Sequence, residues 1–375
     1  MKFLIVDTYY RYFLDEFYKV KETENKTYEE HLNLLLDKLF GTADFYSKNL
    51  KKLGCEAREV IFNDLNLQSK WAREHQLKII SPFFSQKFNN LYKVLNKIYF
   101  IPWMFDERYK ILKAQIKYYK PDILYIQEMA AINDKFLSEI KQDVKLIVGQ
   151  IASPIPKNRN LKVFDLIFTS FPHFVKKFKE LGINSEYLKI AFEPTVLDKI
   201  NNYEKKYDCT FIGGLTKSHT NRIKILEALA NKLNIDLWGY KAETLPRSSP
   251  IRNNYHGEAW GLDMYRILAQ SKITINIHID VAENYANNSR LYEATGCGAM
   301  LITDYKDNLN ELFEIGKEVV AYKNLEELVE LIRYYVAHDA ERELIARAGQ
   351  RRTHTEHAYF KRIKEIINIL PKYIK

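Results

Sequence analysis

Short apolar runs separated by helix-forming stretches recur along this chain, and the recurrence starts twice. In the first half the runs are "KFLIVD" (2–7), "EAREVIFND" (56–64), "PDILYIQE" (121–128), "KLIVGQI" (145–151) and "FDLIFTS" (164–170). A helical region from 28–40 continuing to about Leu53 joins the first two, and helices are expected at 132–141 and 173–182. Apolar runs alternating with helices are joined as β-α-β units, which build a parallel sheet covered on both faces. The polar stretch "AFEPTVLDKINNYEKKYD" (191–208) interrupts the rhythm. It resumes with "CTFIGGL" (209–215), helix 220–233, "IDLWGY" (235–240), helix 261–271, "KITINIHI" (272–279), helix 289–297, a strand at 299–303 and "KEVVAY" (317–322). Helices 324–337, 339–350 and 355–370 close it. The pattern predicts an α/β chain of two Rossmann-like domains facing a cleft, the usual place for a ligand at the carboxyl ends of parallel strands.

The expected division is 1–195, 206–354 and a C-terminal segment 355–375. Residues 68–119 break the first rhythm and read as a helical, aromatic insertion. Within it "FFSQKFNNLYKVLNKIYFIPWMF" interleaves aromatic residues with lysines. That suits a helical subdomain with a solvated basic face; it also suits a surface that recognises an acceptor or rests on an anionic bilayer.

Charge narrows the partners. Lys and Arg number 57 against 48 Asp and Glu, a net +9, which favours anionic partners such as phosphorylated molecules or an anionic membrane face. Lysines that merely solubilise surface helices would give the same balance. Nucleic acid is not expected: there is no zinc-finger spacing, RRM signature or concentrated arginine stripe. Cys55, Cys209 and Cys297 are far apart, which argues against a disulfide framework or a zinc site and fits a reduced, cytoplasmic compartment. The apolar start of "MKFLIVDTYY" is too short for a signal peptide, and no stretch approaches the roughly 18 apolar residues of a membrane span. A peripheral place at the inner membrane face would need the basic aromatic insertion.

The segment "NNSRLYEATGCGAMLITD" (287–304) carries the chemistry. Asn288 or Ser289 can cap the helix that follows. Arg290 sits where free helix N–H groups point, so guanidinium and helix end together suit a phosphate; a surface ion pair is the plainer role. Glu293 lies in the first turn, where a carboxylate either complements the helix dipole or accepts hydrogen bonds from two ribose hydroxyls. Gly296 and Gly298 let the helix stop, and Cys297 reads as a small core residue. A second stretch, "FIGGLTKSHTNR" (211–222), places Gly213 and Gly214 between strand and helix, where backbone N–H groups can approach a phosphate, with Lys217, His219 and Arg222 adding positive charge. Neither a P-loop nor G-x-G-x-x-G spacing is present.

"SRLYEATGCGAMLITD", then Asn308, Phe313 and "GKEVVAY", then "ERELIARAGQRRTHTEHAYFKRI" resemble, as an ordered set over about 209–365, the C-terminal domain of GT-B glycosyltransferases, most closely the group related to spore-maturation protein CgeB. The resemblance implies a nucleotide-sugar donor held by the later half and an acceptor (glycan, lipid-linked or protein) held by the first. It also implies a last helix that crosses back to the first domain. By the same resemblance Glu293 matches the glutamate that holds the donor ribose, and Asn288, Ser289 and Arg290 match the region near the diphosphate. Gly213 and Gly214 match the glycine loop; Trp238, Gly239, Tyr240 and "YHGEAWG" (255–261) fall where the base sits. Many GT-B enzymes carry a further glutamate eight residues before the ribose one; here that position is Tyr285.

A departing nucleoside diphosphate gathers negative charge. The chain has no Asp-x-Asp triplet of the kind metal-dependent transferases use. Arg290, the 213–219 loop and a helix N-terminus are therefore expected to stabilise the charge without a metal or other cofactor. For a general base the candidates are Glu128 and Asp7, each at a strand end, with helix capping as the ordinary alternative. His173 follows a strand and is as well placed to start a helix. His278 and His256 reach the donor or serve as satisfied structural histidines. A nucleotide-sugar epimerase and a non-catalytic nucleotide-binding protein remain open beside the transferase.

Overall fold

The apolar runs form strands, and the strands form two separate parallel sheets. The computed structural model describes residues 1–20, 22–79, 106–156, 158–201, 203–216 and 220–374. The chain divides into two units. One is Met1–Thr169 with His173–Tyr187 and Ile363–Lys375; the other is Ser170–Pro172 with Leu188–Arg362.

In chain order the first unit contains β1 (Lys2–Asp7), α1 (Arg11–Phe17), α2 (Tyr28–Leu36), α3 (Phe45–Lys52), β2 (Glu56–Ile61), α4 (Leu65–Glu74), α5 (Glu107–Tyr119), β3 (Ile123–Ile126), α6 (Asp134–Glu139), β4 (Leu146–Ile151), β5 (Leu166–Thr169), α7 (Pro172–Glu180) and β6 (Ser185–Tyr187). The sheet order is β2-β1-β3-β4-β5-β6, every pair parallel. β3 and β5 are buried at every position, which is why they read as unbroken apolar runs. The short α1 and β6 are not foreseen by the sequence pattern.

The helical region expected from 28 to about Leu53 is two helices. α2 starts at a capping box, in which the Thr27 side chain and Glu30 satisfy each other's backbone N–H. Between α2 and α3 the backbone turns left-handed at Leu39, Gly41 and Ala43 (φ 56°, 60° and 41°). Leu39 and Ala43 are buried there, so packing holds a conformation their side chains disfavour. Of the expected insertion, both ends belong to this unit's core. α4 packs on α5, Trp71 donates to the Tyr119 hydroxyl at 2.8 Å, and Ile111, Leu112 and Ile116 are buried. Residues 80–105, with most of the aromatic and lysine pattern, lie outside the described residues.

The second unit contains β7 (Tyr207–Ile212), α8 (Thr220–Ala230), β8 (Asp236–Trp238), α9 (Gly261–Ala269), β9 (Ser271–Asn276), α10 (Ser289–Gly296), β10 (Met300–Asp304), α11 (Leu309–Leu312), β11 (Val320–Tyr322), α12 (Leu325–Ala337) and α13 (Asp339–Glu356). α14 (Tyr359–Ile369) begins in this unit and ends in the first. The sheet order is β11-β10-β9-β7-β8, again parallel throughout. Its core gathers Phe211, Leu226, Leu237, Ile273, Ile275, Ile302 and Leu328. In both sheets the second strand lies on one side of the first and all later strands on the other. The winding therefore reverses beside β1 in one unit and beside β7 in the other, where α/β sheets open a crevice. Among the described residues no helix is long and apolar enough to cross a membrane.

α13, expected to stop near residue 350, continues to Glu356 and fixes α10 from behind. Thr295 and Thr353 share a 2.6 Å hydroxyl bond, and Gln350 Nε2 and His354 Nε2 meet the Gly296 carbonyl at 3.1 and 2.9 Å. Close approach also demands glycine at 349, where an added Cβ would lie 2.3 Å from the Glu318 carbonyl oxygen. Gly349→Ala is expected to cost about 1–3 kcal/mol of stability by overpacking, measured as a lower urea midpoint with an unchanged slope.

Candidate functional site

At the carboxyl end of the second sheet, one side chain ties the strands together across the reversal. Arg222, on α8, donates from Nη1 to the Gly214 carbonyl at 3.1 Å and from Nη2 to the Ile277 carbonyl at 2.9 Å. It thereby joins the chain leaving β7 to the chain leaving β9. Burial pushes its guanidinium below the ordinary value; the like charge of Arg290 pushes the same way, against Tyr240, Asp304 and Tyr322. Among the described residues its Nε has no hydrogen-bond partner. Arg222 is thus a clamp as well as a charge.

The next strand ends carry a polar chain. Asn288 is the N-cap of α10: its Oδ1 accepts from Leu291 N–H at 3.3 Å, and its Nδ2 donates to Asn276 Oδ1 at 2.7 Å. Asn276 in turn donates to Thr303 Oγ1 at 2.9 Å. Ser289, the other candidate cap, is exposed. His278, two residues beyond β9, is anchored by Asp304 at the end of β10, with Nδ1 and Oδ1 2.6 Å apart and the His278 backbone N–H on the same oxygen at 3.0 Å.

Arg290 and Glu293 form an ion pair, Nη1 to Oε2 at 2.9 Å, but not at the surface: the two side chains are 14% and 15% exposed. The pair is not aligned as a hydrogen bond, and Arg290 Nε and Nη1 are buried without a hydrogen-bond partner. Burial raises the Glu293 carboxyl above its ordinary range, opposed by the charge of Arg290. His278 Nε2, Asn287 Nδ2 and the Tyr322 hydroxyl are buried and unpartnered as well.

The glycines behave differently from expectation. The Gly213 amide donates to the Trp238 carbonyl at 3.0 Å and is not offered to a phosphate. An added Cβ would meet the Phe211 ring at 2.9 Å at Gly213 and the Tyr240 ring at 2.6 Å at Gly214. At Gly239 (φ 159°) it would stand 1.8 Å from the Gly213 carbonyl oxygen. At Gly239 the contact with backbone requires glycine, whereas at Gly213 and Gly214 the neighbours are the far ends of the Phe211 and Tyr240 side chains. Trp238 is buried between Tyr207 and His256, with ring centroids at 5.0 and 4.6 Å, and is a core side chain. Tyr240 and Trp260 stack at 5.4 Å, both half-buried. His256 is exposed and bonds Asp236 at 2.7 Å, at the opposite, amino end of β8. Cys297 is buried, as a core residue should be. Lys217 and His219 lie outside the described residues.

In the first unit Asp7 ends β1 beside the reversal. Its Oδ1 accepts from Thr8 N–H at 2.7 Å, its Oδ2 from the Thr42 hydroxyl at 3.4 Å, and Gln127 Nε2 donates to that hydroxyl at 3.0 Å. Burial pushes the Asp7 carboxyl up to about 6 despite these bonds. Glu128 is exposed, and its Oε1 accepts from Ala130 N–H at 3.0 Å, the ordinary capping role. His173 lies in the first turn of α7, edge-on to Phe174.

With this geometry in hand, three solved structures can be set beside the chain. Sucrose-phosphate synthase from Thermosynechococcus elongatus has a TM-score of 0.56 at 9% identity, over 99% of this chain and 98% of its own. Anabaena HepE, solved in complex with UDP-glucose, has 0.57 at 12% identity, over 99% and 100%. A glycosyltransferase from Rickettsia africae has 0.57 at 14% identity, over 100% and 98%. The fold is that of the GT-B glycosyltransferases. Residues 222–368 match the family model described as glycosyl transferase-like, a stretch that contains Arg222, His278, Arg290, Glu293 and Asp304. No curated protein matches the chain in sequence.

Within this GT-B chain, sequence reasoning missed Asp304, Asn276, Asn287 and Tyr322. The signal was faint: "NIHI" and "LITD" both end strands, but only the strand order makes β9 and β10 neighbours. Among the described residues no group of three or more His, Cys, Asp or Glu side chains gathers as a metal would require.

The Asp7 shift has a consequence for stability. A carboxyl that holds its proton more tightly when folded loses stabilising effect as pH rises from about 4 to about 6, and above that the fold bears the cost of its buried charge. Asp7→Asn is expected to stabilise the chain at pH 7.5, by at most about 3 kcal/mol, and to leave it unchanged at pH 3.5. Denaturant titrations at the two pH values measure this.

Proposed function

We propose that this GT-B chain transfers a sugar from a nucleoside-diphosphate sugar to a glycan, lipid-linked or protein acceptor, with the second unit binding the donor. One observation carries the reading. Among the described residues, six buried polar atoms without hydrogen-bond partners belong to residues gathered around the carboxyl ends of β9, β10 and β11 and the start of α10: Arg222 Nε, His278 Nε2, Asn287 Nδ2, Arg290 Nε, Arg290 Nη1 (ion-paired with Glu293) and the Tyr322 hydroxyl. A buried polar group left unpaired costs roughly 1–3 kcal/mol, so a fold retains such a set where it serves a ligand. Two guanidinium groups among them select an anion, and the diphosphate of a nucleotide sugar offers enough oxygens for all.

Arg222 and Arg290 would meet the charge that gathers on the leaving diphosphate, as fixed donors that need no reorganisation. On this reading no metal is required. Glu293 beside Arg290 is the candidate for the ribose hydroxyls, and the half-buried Tyr240–Trp260 stack for the base. The ordered motifs of 287–365 support a place near the CgeB-related group. Asp7 is favoured over Glu128 as acceptor-side base, since burial brings its carboxyl toward neutral pH while Glu128 caps a turn.

Thermal-shift titration with nucleoside diphosphates tests the donor site. The expected result is stabilisation of several degrees by at least one diphosphate, equal with EDTA and with Mg²⁺, and at least tenfold weaker binding in Arg290→Gln. Equal shifts in wild type and variant would remove the assignment. Conversion of the donor alone to a second nucleotide sugar, without an acceptor, would indicate epimerisation instead.

A further inference from the structure

His278 differs from other buried histidines in what holds it. His31 and His357 are also buried with one ring nitrogen unpartnered, but each is held through its other nitrogen by a neutral oxygen; His278 is held by a carboxylate. Here the side chain is completely buried, one nitrogen is gripped and the other has nothing. Asp304 takes Nδ1 at 2.6 Å and the backbone N–H of the same residue at 3.0 Å, so ring plane and tautomer are set together. Burial pushes the Asp304 carboxyl up, but the hydrogen bond and charge of His278, with Lys306 3.4 Å away, outweigh it and hold it below the ordinary range. Asp304 therefore stays ionised and can offset the charge of an imidazolium. With the Nδ1 proton committed to Asp304, Nε2 is the atom able to exchange a proton with a ligand.

Charged or titratable groups from several elements gather at this corner of the sheet, linked through Asp304 and Arg222. Asp304 comes from β10, with Lys306 just beyond it, and Tyr322 from β11. Arg222 comes from α8, and Arg290 with Glu293 from α10. Two of these are guanidinium groups, which hold anions but cannot give up a proton at neutral pH. A leaving phosphate oxygen in such a setting has abundant positive charge; Lys306 is engaged by Asp304 and a phenol gives up its proton only at high pH, so the imidazole is the proton source best matched to neutral pH.

Resting on the donor-site reading above, we propose that His278 is a catalytic residue whose Nε2–H protonates the leaving diphosphate. The bond between the anomeric carbon and the phosphate oxygen breaks. Its electron pair stays on that oxygen, which takes the Nε2 proton, while the acceptor hydroxyl bonds to the anomeric carbon and yields its own proton to a base or to water. His278 is reprotonated from water, so one proton passes in net from acceptor to diphosphate. Because Nε2 is closed to water, the donor must part the side chains around it on binding.

Slow hydrolysis of a nucleotide sugar, with water as acceptor, gives an assay that needs no knowledge of the natural acceptor. Wild type, His278→Gln and Asp304→Asn, each checked by circular dichroism, are compared for nucleoside-diphosphate affinity and for kcat across pH. The expected result is that both variants still bind a nucleoside diphosphate, more weakly because the Nε2 contact is altered, while kcat is about 100-fold lower in His278→Gln and lower also in Asp304→Asn. The arm of the pH profile on which activity falls with rising pH should disappear in His278→Gln. If kcat stays within threefold of wild type in the His278 variant, or the arm persists, the role of His278 is overturned and the donor site stands. If the wild type binds none of the nucleoside diphosphates, the donor-site reading fails and the inference falls with it.

Discussion

The bond of Arg222 to two carbonyls is the contact that ties the strand ends of the second unit together across the reversal of its winding. There the connections diverge to opposite faces of the sheet and leave a gap at the strand ends. Arg222 closes it from the side of α8, holding the chains that leave β7 and β9 at a set distance. Asn276, Asn288, Thr303, His278 and Asp304 continue the bracing toward β10 and α10. These polar links between strand ends hold the side chains of this corner in place, and α13 adds support behind α10.

That bracing has an energetic cost. Arg290, His278 and Arg222 are drawn out of water with part of their hydrogen-bonding capacity unused among the described residues, and burial raises the Asp7 and Glu59 carboxyls in the other unit. Removing one member of a buried pair leaves the other uncompensated, so substitutions here perturb stability as well as function. The apolar sheet cores offset this. Each has central strands buried on both faces, and their packing lets strained or under-paired groups persist at the edges.

The glycines show how a correct location can rest on an incomplete reason. Gly213 and Gly214 do lie between a strand and a helix, at the carboxyl end of the sheet. Yet the Gly213 amide is engaged by Trp238, and the lack of side chains lets Phe211, Tyr240 and the Gly239 backbone close in. Trp238 likewise follows the strand it was expected to follow, but its ring faces the core. For such residues the sequence indicates where the chain turns, not which neighbour approaches.

What the sequence alone determined is the succession of elements. Continuous apolar runs become strands because both faces of a parallel sheet are covered, and this holds locally, whichever strands are neighbours. The capping site at Asn288 and the motif around Arg290 were legible for the same reason: each depends on residues a few positions apart. Only the tertiary structure decided the left-handed break at Leu39–Ala43, where burial overrides local preference. It also decided the meeting of His278 with Asp304, 26 residues apart, and of Arg222 with Ile277, 55 apart. Those contacts follow from strand order, and strand order is set by how whole sheets bury their faces, which no short stretch of sequence encodes.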